Sequence, residues 1–105
     1  MDARVQSVNG VPIRLGPERW MHVVEHHDDL AGYLHAVLET IGTPDFVYEG
    51  DHGELLAVST RSADRWLVVV YREVSAVDGF VITAFFTTRV ERFERRRLLW
   101  RPEPS

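Results

Sequence analysis

The stretch Leu30-Ala31-Gly32-Tyr33-Leu34-His35-Ala36-Val37-Leu38-Glu39-Thr40-Ile41-Gly42-Thr43-Pro44-Asp45-Phe46-Val47-Tyr48 contains the change of period on which the fold class turns. Leu30, Tyr33, Leu34, Val37, Leu38 and Ile41 recur at i, i+3, i+4, i+7, i+8 and i+11, the spacing of one helix face. Gly42 supplies the stop and Pro44 prevents resumption. From Phe46 onward the pattern is that of strands.

Downstream, four strands are expected: Phe46-Val47-Tyr48, Glu54 to Thr60, Arg65 to Glu73, and Phe80 to Thr88. Turns at Asp51-His52-Gly53, Arg61 to Asp64 and Val77-Asp78-Gly79 separate them. Trp66 to Tyr71 is continuously apolar, the mark of a central strand covered on both faces. In the fourth strand, Val81, Thr83, Phe85 and Thr87 are expected to share one side. Arg89 to Trp100 reads as a short basic helix or an extended flap, followed by a tail from Arg101 to Ser105.

Upstream, Gly16-Pro17-Glu18 marks a helix start, with Pro in the first turn and Glu18 favoured by the helix dipole. This first helix runs to about His27, where Asp28-Asp29 breaks it and offers a cap for the next. Before it, Val11, Ile13 and Leu15 alternate, and Pro12 limits that segment to an edge strand or an extended lead-in. An Asn9-Gly10 turn signal precedes it, and residues 1–10 are polar and expected to fray. The chain therefore reads as a single α+β domain over residues 1–105. Two N-terminal helices pack on one face of a four-stranded antiparallel meander, with the basic segment as a C-terminal appendage.

Composition narrows the chemistry. A chain of 105 residues can bury a core unaided. Without cysteine there are no disulfides, no thiolate chemistry and no Cys-ligated zinc, which fits a cytoplasmic setting. No apolar run approaches the roughly 18 residues of a membrane span, and the first 20 residues lack a signal-peptide core. Every basic side chain is Arg, a planar fork suited to phosphate or carboxylate. The charges are segregated: Trp20 to Thr60 holds eight acids and no Arg, and from Arg61 onward there are nine Arg against six acids. A net charge of −4 counts against strong overall nucleic-acid affinity but leaves room for a local basic face.

Three of the five histidines fall within Trp20-Met21-His22-Val23-Val24-Glu25-His26-His27-Asp28-Asp29. At helical spacing Trp20, Val23, Val24 and His27 lie on one side, and Glu18, His22, Glu25 and Asp29 on the other. His27, among apolar neighbours, is either a satisfied core imidazole or a working one. His22-Val23-Val24-Glu25-His26 matches a His-x-x-Glu-His zinc pattern. The chain is short for such an enzyme and its third ligand would have to be Glu91 or Glu94, so no metal or other cofactor is expected. Paired with Thr83 and an Arg, His27 could instead act on phosphodiesters. The imidazole would move the proton, the Arg would stabilise the phosphorane, and the hydroxyl would position an oxygen. A buried His–Thr hydrogen bond is the bland alternative. Arg72 and Arg89 are the candidates for that Arg. The segment Arg89 to Arg97, with Phe93 available to stack, is either an RNA-binding edge or a solvated face of Glu–Arg pairs.

Four segments together carry a resemblance: Trp20-x-His22-Val23-x-x-His26-His27-x-Asp29, Glu39-Thr40-Ile41-x-x-Pro44-Asp45-x-Val47, Val68-Val69-Val70-Tyr71-Arg72-Glu73, and Gly79-Phe80-Val81-Ile82-Thr83-Ala84-Phe85. In order and spacing they resemble the phage-associated branch of the barnase–EndoU–colicin–RelE-like nuclease superfamily. That resemblance implies a helix pair before a four-stranded antiparallel sheet and metal-independent RNA cleavage across the sheet. It implies catalytic roles for His22, His27, Thr83 and Arg72. Substrate contacts are expected from Arg89, Thr87 and His26. RNA is the expected substrate, an inhibitor of the antitoxin kind the expected protein partner, and no membrane is involved. Where the family shows Arg-His-Pro-Glu, this chain reads His26-His27-Asp28-Asp29, so one Arg of the pattern is missing.

Overall fold

A computed structural model describes residues 2–104 of the chain. Its strands are β1 (Ala3–Gln6), β2 (Pro12–Leu15), β3 (Phe46–Glu49), β4 (Leu55–Ser62), β5 (Arg65–Ser75), β6 (Asp78–Thr87) and β7 (Leu98–Trp100). Its helices are α1 (Pro17–His26) and α2 (Leu34–Gly42), with 3-10 turns at Asp28–Leu30 and Val90–Arg92. All the strands join one seven-stranded sheet in the order β1-β2-β6-β5-β4-β3-β7. Every neighbouring pair is antiparallel except β2 and β6, which run parallel.

This corrects the expected four-stranded antiparallel meander: the sheet is mixed and has seven strands. The segment expected to fray forms β1, in register with β2 from Ala3↔Leu15 to Gln6↔Pro12. The expected basic helix or flap is a 3-10 turn followed by β7, which pairs Trp100 with Val47 and Leu98 with Tyr48. The break between the helices is also longer than expected, because Asp28-Asp29 opens a 3-10 turn and α2 begins only at Leu34, without a side-chain cap.

The packing follows from side-chain alternation. On one face of the sheet, Leu67, Val69 and Tyr71 of β5 meet Val23 of α1, Leu30, and Val37 and Ile41 of α2, with Ile13 and Leu15 of β2 in the same core. Each such fully buried side chain stabilises the fold by about 1.5–3 kcal/mol. On the other face, Val68 packs with Tyr48, Leu56 and Val58, roofed by Val90 and Phe93 of the C-terminal segment. β5 is the middle strand of the seven and is covered on both sides, which accounts for its unbroken apolar run. One buried polar contact sits in the helix-side layer: the Thr40 hydroxyl donates to the Ala36 carbonyl (2.7 Å) and lies 2.8 Å from the Ser59 hydroxyl.

Two irregularities in β6 decide what the sheet presents. β2 pairs with β6 only at Ile13↔Gly79 and Arg14↔Phe80. Beyond Phe80 that border of β6 has no strand partner among the described residues, and α1 and the Asp28–Leu30 turn pack along it instead. The register also shifts there: Val70 pairs with Thr83 but Tyr71 with Val81, so Ile82 is an inserted residue. The bulge reverses the alternation. Val81, Ala84 and Phe86 belong to the helix-side core, whereas Thr83, Phe85 and Thr87 pair with Val70, Val68 and Trp66 on the opposite face. The expectation that Val81, Thr83, Phe85 and Thr87 share one side is corrected accordingly.

Candidate functional site

Where α1 ends beside the unpartnered border of β6, the chain leaves an open cleft of about 260 Å³. Arg19, His22, His26 and His27 line it from the helix, and Ile82 and Thr83 from the bulge. The helix supplies its side of the cleft because residues 19, 22 and 26 are spaced one turn apart. Val23, one position from His22, turns into the core and is buried. Thr83 lies on the face away from the helices, yet reaches the cleft because the bulge sits at the rim of the sheet.

The imidazoles differ in their surroundings. His22 and His26 are exposed, and their ring centroids lie 4.3 Å apart at 49°. Nδ1 of His26 is 2.9 Å from the His22 carbonyl oxygen. A carbonyl only accepts, so Nδ1 carries the proton and the Nε2 lone pair of a neutral His26 is left free. His27 is half-buried, with its ring centroid 6.0 Å from that of Phe85. It terminates α1, donating its backbone N–H to the Val23 carbonyl, at φ −138 and ψ 74. No hydrogen bond joins His27 to Thr83 among the described residues, so the bland buried His–Thr pair does not form.

The other expected residues lie elsewhere. Arg72 is outside the cleft: its guanidinium donates to the His52 carbonyl (2.9 Å) and lies 3.6 Å from the Glu54 carboxylate, across the sheet at the β3–β4 turn. The His52 backbone N–H holds the Glu54 carboxyl below its ordinary range. These contacts hold the Arg72 charge at the β3–β4 turn, apart from the histidines. Arg89 and Thr87 line a second, separate pocket of about 380 Å³ at the end of β6. Glu91 and Glu94 do not converge with the histidines: no three His, Asp or Glu side chains among the described residues are placed to hold a metal ion.

Arg19 was not among the expected residues. It stands one helical turn before His22 and faces the same cleft. The signal was available in the i, i+3, i+7 series Arg19, His22, His26. The chain matches no protein-family model, no curated protein and no solved structure with which it was compared. No helix among the described residues is long and apolar enough to cross a membrane.

Proposed function

We propose that the protein is a metal-independent endoribonuclease whose reaction centre is the cleft between α1 and the β6 bulge. The observation that carries this reading is the gathering of three imidazoles, one guanidinium and one hydroxyl around a single open cleft. In this reading Nε2 of His26 takes the proton from a ribose 2′-hydroxyl. The resulting oxygen attacks the adjacent phosphorus, the bond from phosphorus to the 5′-oxygen breaks, and a 2′,3′-cyclic phosphate forms. A protonated His27 gives a proton to the departing 5′-oxygen, and His22 serves as a further proton carrier or a phosphate ligand. Arg19 takes the charge-stabilising role for which Arg72 and Arg89 were candidates, and Thr83 positions a non-bridging oxygen. The kinship to the barnase–EndoU–colicin–RelE-like nucleases belongs to the same proposal, as does a cytoplasmic site of action.

The test is single-turnover cleavage of mixed-sequence RNA in EDTA, with the product ends identified chemically. Wild type is expected to leave cyclic phosphate ends. His26→Ala and His27→Ala are each expected to slow cleavage by about 10²–10⁴-fold. Equal, trace-level cleavage by wild type and both variants would remove the enzyme. Salt-sensitive RNA binding in the same samples would then make the protein a non-catalytic RNA-binding module.

A further inference from the structure

The second pocket is built from cations. Arg65, Arg89 and Arg92 line it together with the hydroxyl residues Thr87 and Thr88, and Asp29 is the single carboxylate among them. Arg65 is fixed in place: its guanidinium carbon lies 3.7 Å from the centroid of the Phe86 ring, and its Nη2 is 3.9 Å from Asp29. The Arg89 backbone N–H donates to the Thr87 hydroxyl (3.0 Å), which holds the turn out of the strand. Among the described residues neither Arg89 nor Arg92 has a carboxylate within ion-pair distance, whereas Arg14, Arg72 and Arg96 are all tied to acids at the other end of the sheet. Three guanidinium groups facing one carboxylate leave an excess of positive charge in a concave space. Planar forks of this kind match phosphate oxygens two at a time.

The position of the pocket gives it a meaning. Thr83 lines the histidine cleft and Thr87 lines this pocket; both lie on one strand and on one face of it. Four residues along an extended strand separate the two sites by about 13 Å. A single strand of nucleic acid seated with one linkage among the histidines would run along the Thr83 and Thr87 face of β6, away from the helices, toward these arginines. We propose that the pocket is a phosphate subsite that grips the backbone of the strand cut in the cleft; the identity of that strand as RNA rests on the reading above. The chemistry recognised is a phosphodiester anion, and the grip is confined to one or two phosphates because the protein carries a net charge of −4.

The experiment uses a fluorescein-labelled all-deoxy oligonucleotide of about six nucleotides, which lacks the attacking hydroxyl and so reports binding without turnover. Anisotropy titrations are run over a series of salt concentrations. Wild type is expected to bind, and Arg89→Gln combined with Arg92→Gln to weaken binding by at least about tenfold. The slope of log affinity against log salt is expected to flatten by about 0.7 for each phosphate that the pocket no longer neutralises. Arg101→Gln, outside the pocket, is expected to change neither quantity. Thermal melts of the double variant check that it is folded. An unchanged affinity and slope in the double variant would overturn the subsite. So would a titration in which inorganic phosphate shifts the pocket amides by NMR but the oligonucleotide does not, since the pocket would then take a free anion and not a strand. RNA cleavage that survives with full efficiency in the double variant would sink this inference and leave the nuclease reading intact. Pocket-dependent oligonucleotide binding without RNA cleavage would do the reverse.

Discussion

Tyr71 is fully buried on the helix side of β5, and among the described residues its hydroxyl has no hydrogen-bond partner. Burial, with Glu73 nearby, pushes its ionisation well above the ordinary phenol range. An unpaired buried hydroxyl costs about 1–3 kcal/mol, so Tyr71→Phe is expected to leave stability at pH 7 unchanged or raise it by about 1 kcal/mol in urea titrations. The sign reverses the usual rule for tyrosine deletions. Because the folded-state pKa is raised, the stability linked to Tyr71 is complete below about pH 10 and falls as pH climbs beyond it. The Phe variant should therefore resist alkaline unfolding better than wild type. The sequence places Tyr71 in a buried run but does not show that its hydroxyl goes unpaired, since that depends on neighbours contributed by distant segments. The histidines were legible in the same partial way. Helical spacing alone sets His22 apart from Val23, whereas the free Nε2 of His26 follows from a contact to the His22 carbonyl that only the folded chain reveals.

At the scale of elements, the join between β2 and β6 depends on Gly79. A Cβ there would lie 2.5 Å from both the Arg72 carbonyl oxygen and the Ile13 side chain. Because the Arg72 carbonyl belongs to β5, Gly79→Ala must open the β5–β6 pairing at that point as well as displace the Ile13 side chain, and a loss of about 1–3 kcal/mol is expected in chemical denaturation. The central strands were readable because each carries enough β-branched and aromatic residues to declare its period. β1 was not, since Arg4 and Gln6 face water and only Val5 and Ala3 turn inward. A four-residue edge strand offers too few apolar positions for alternation to stand out. β7 was masked differently, by three residues directly following the Arg95-Arg96-Arg97 run. The Ile82 bulge was the costliest omission. One inserted residue moves Thr83, Phe85 and Thr87 to the other face, and strict alternation cannot foresee where a ladder will slip. Thr83 lines the cleft, but it arrives there over the rim of the sheet rather than from its helix-covered face.

Across the whole molecule the charges are sorted along the strand direction. Asp51, Glu54 and Asp78 sit at the end where β3 turns into β4 and β5 into β6, and each is met by an arginine: Arg96 at 2.7 Å, Arg72 at 3.6 Å and Arg14 at 3.1 Å. The Arg96 and Arg14 guanidinium groups hold the Asp51 and Asp78 carboxyls below their usual range, and the His52 amide does the same for Glu54. Depressed folded-state values place this stability above about pH 4 and remove it as pH falls through the lowered values. Acid titration followed by circular dichroism is expected to show a loss confined to that range, and added salt should blunt it because the pairs are exposed. The segregation of acids and arginines was visible in the chain. The pairing of Arg14, Arg72 and Arg96 with acids at one end of the sheet, and the gathering of Arg65, Arg89 and Arg92 at the other, was not, because it depends on strand order.

The two-residue parallel seam between β2 and β6 joins positions 13–14 to 79–80, so some 66 residues of chain must be looped before it can close. Contacts between positions so far apart form slowly, and the β5–β6 hairpin that supplies the docking edge is local by comparison. β2 is therefore expected to join the sheet after that hairpin has formed. In pulsed hydrogen exchange during refolding, amides of Val68 to Tyr71 are expected to become protected before those of Ile13 to Leu15. Before that seam closes, the histidine-bearing helix lacks its station beside β6, and the imidazoles lack the rim they face.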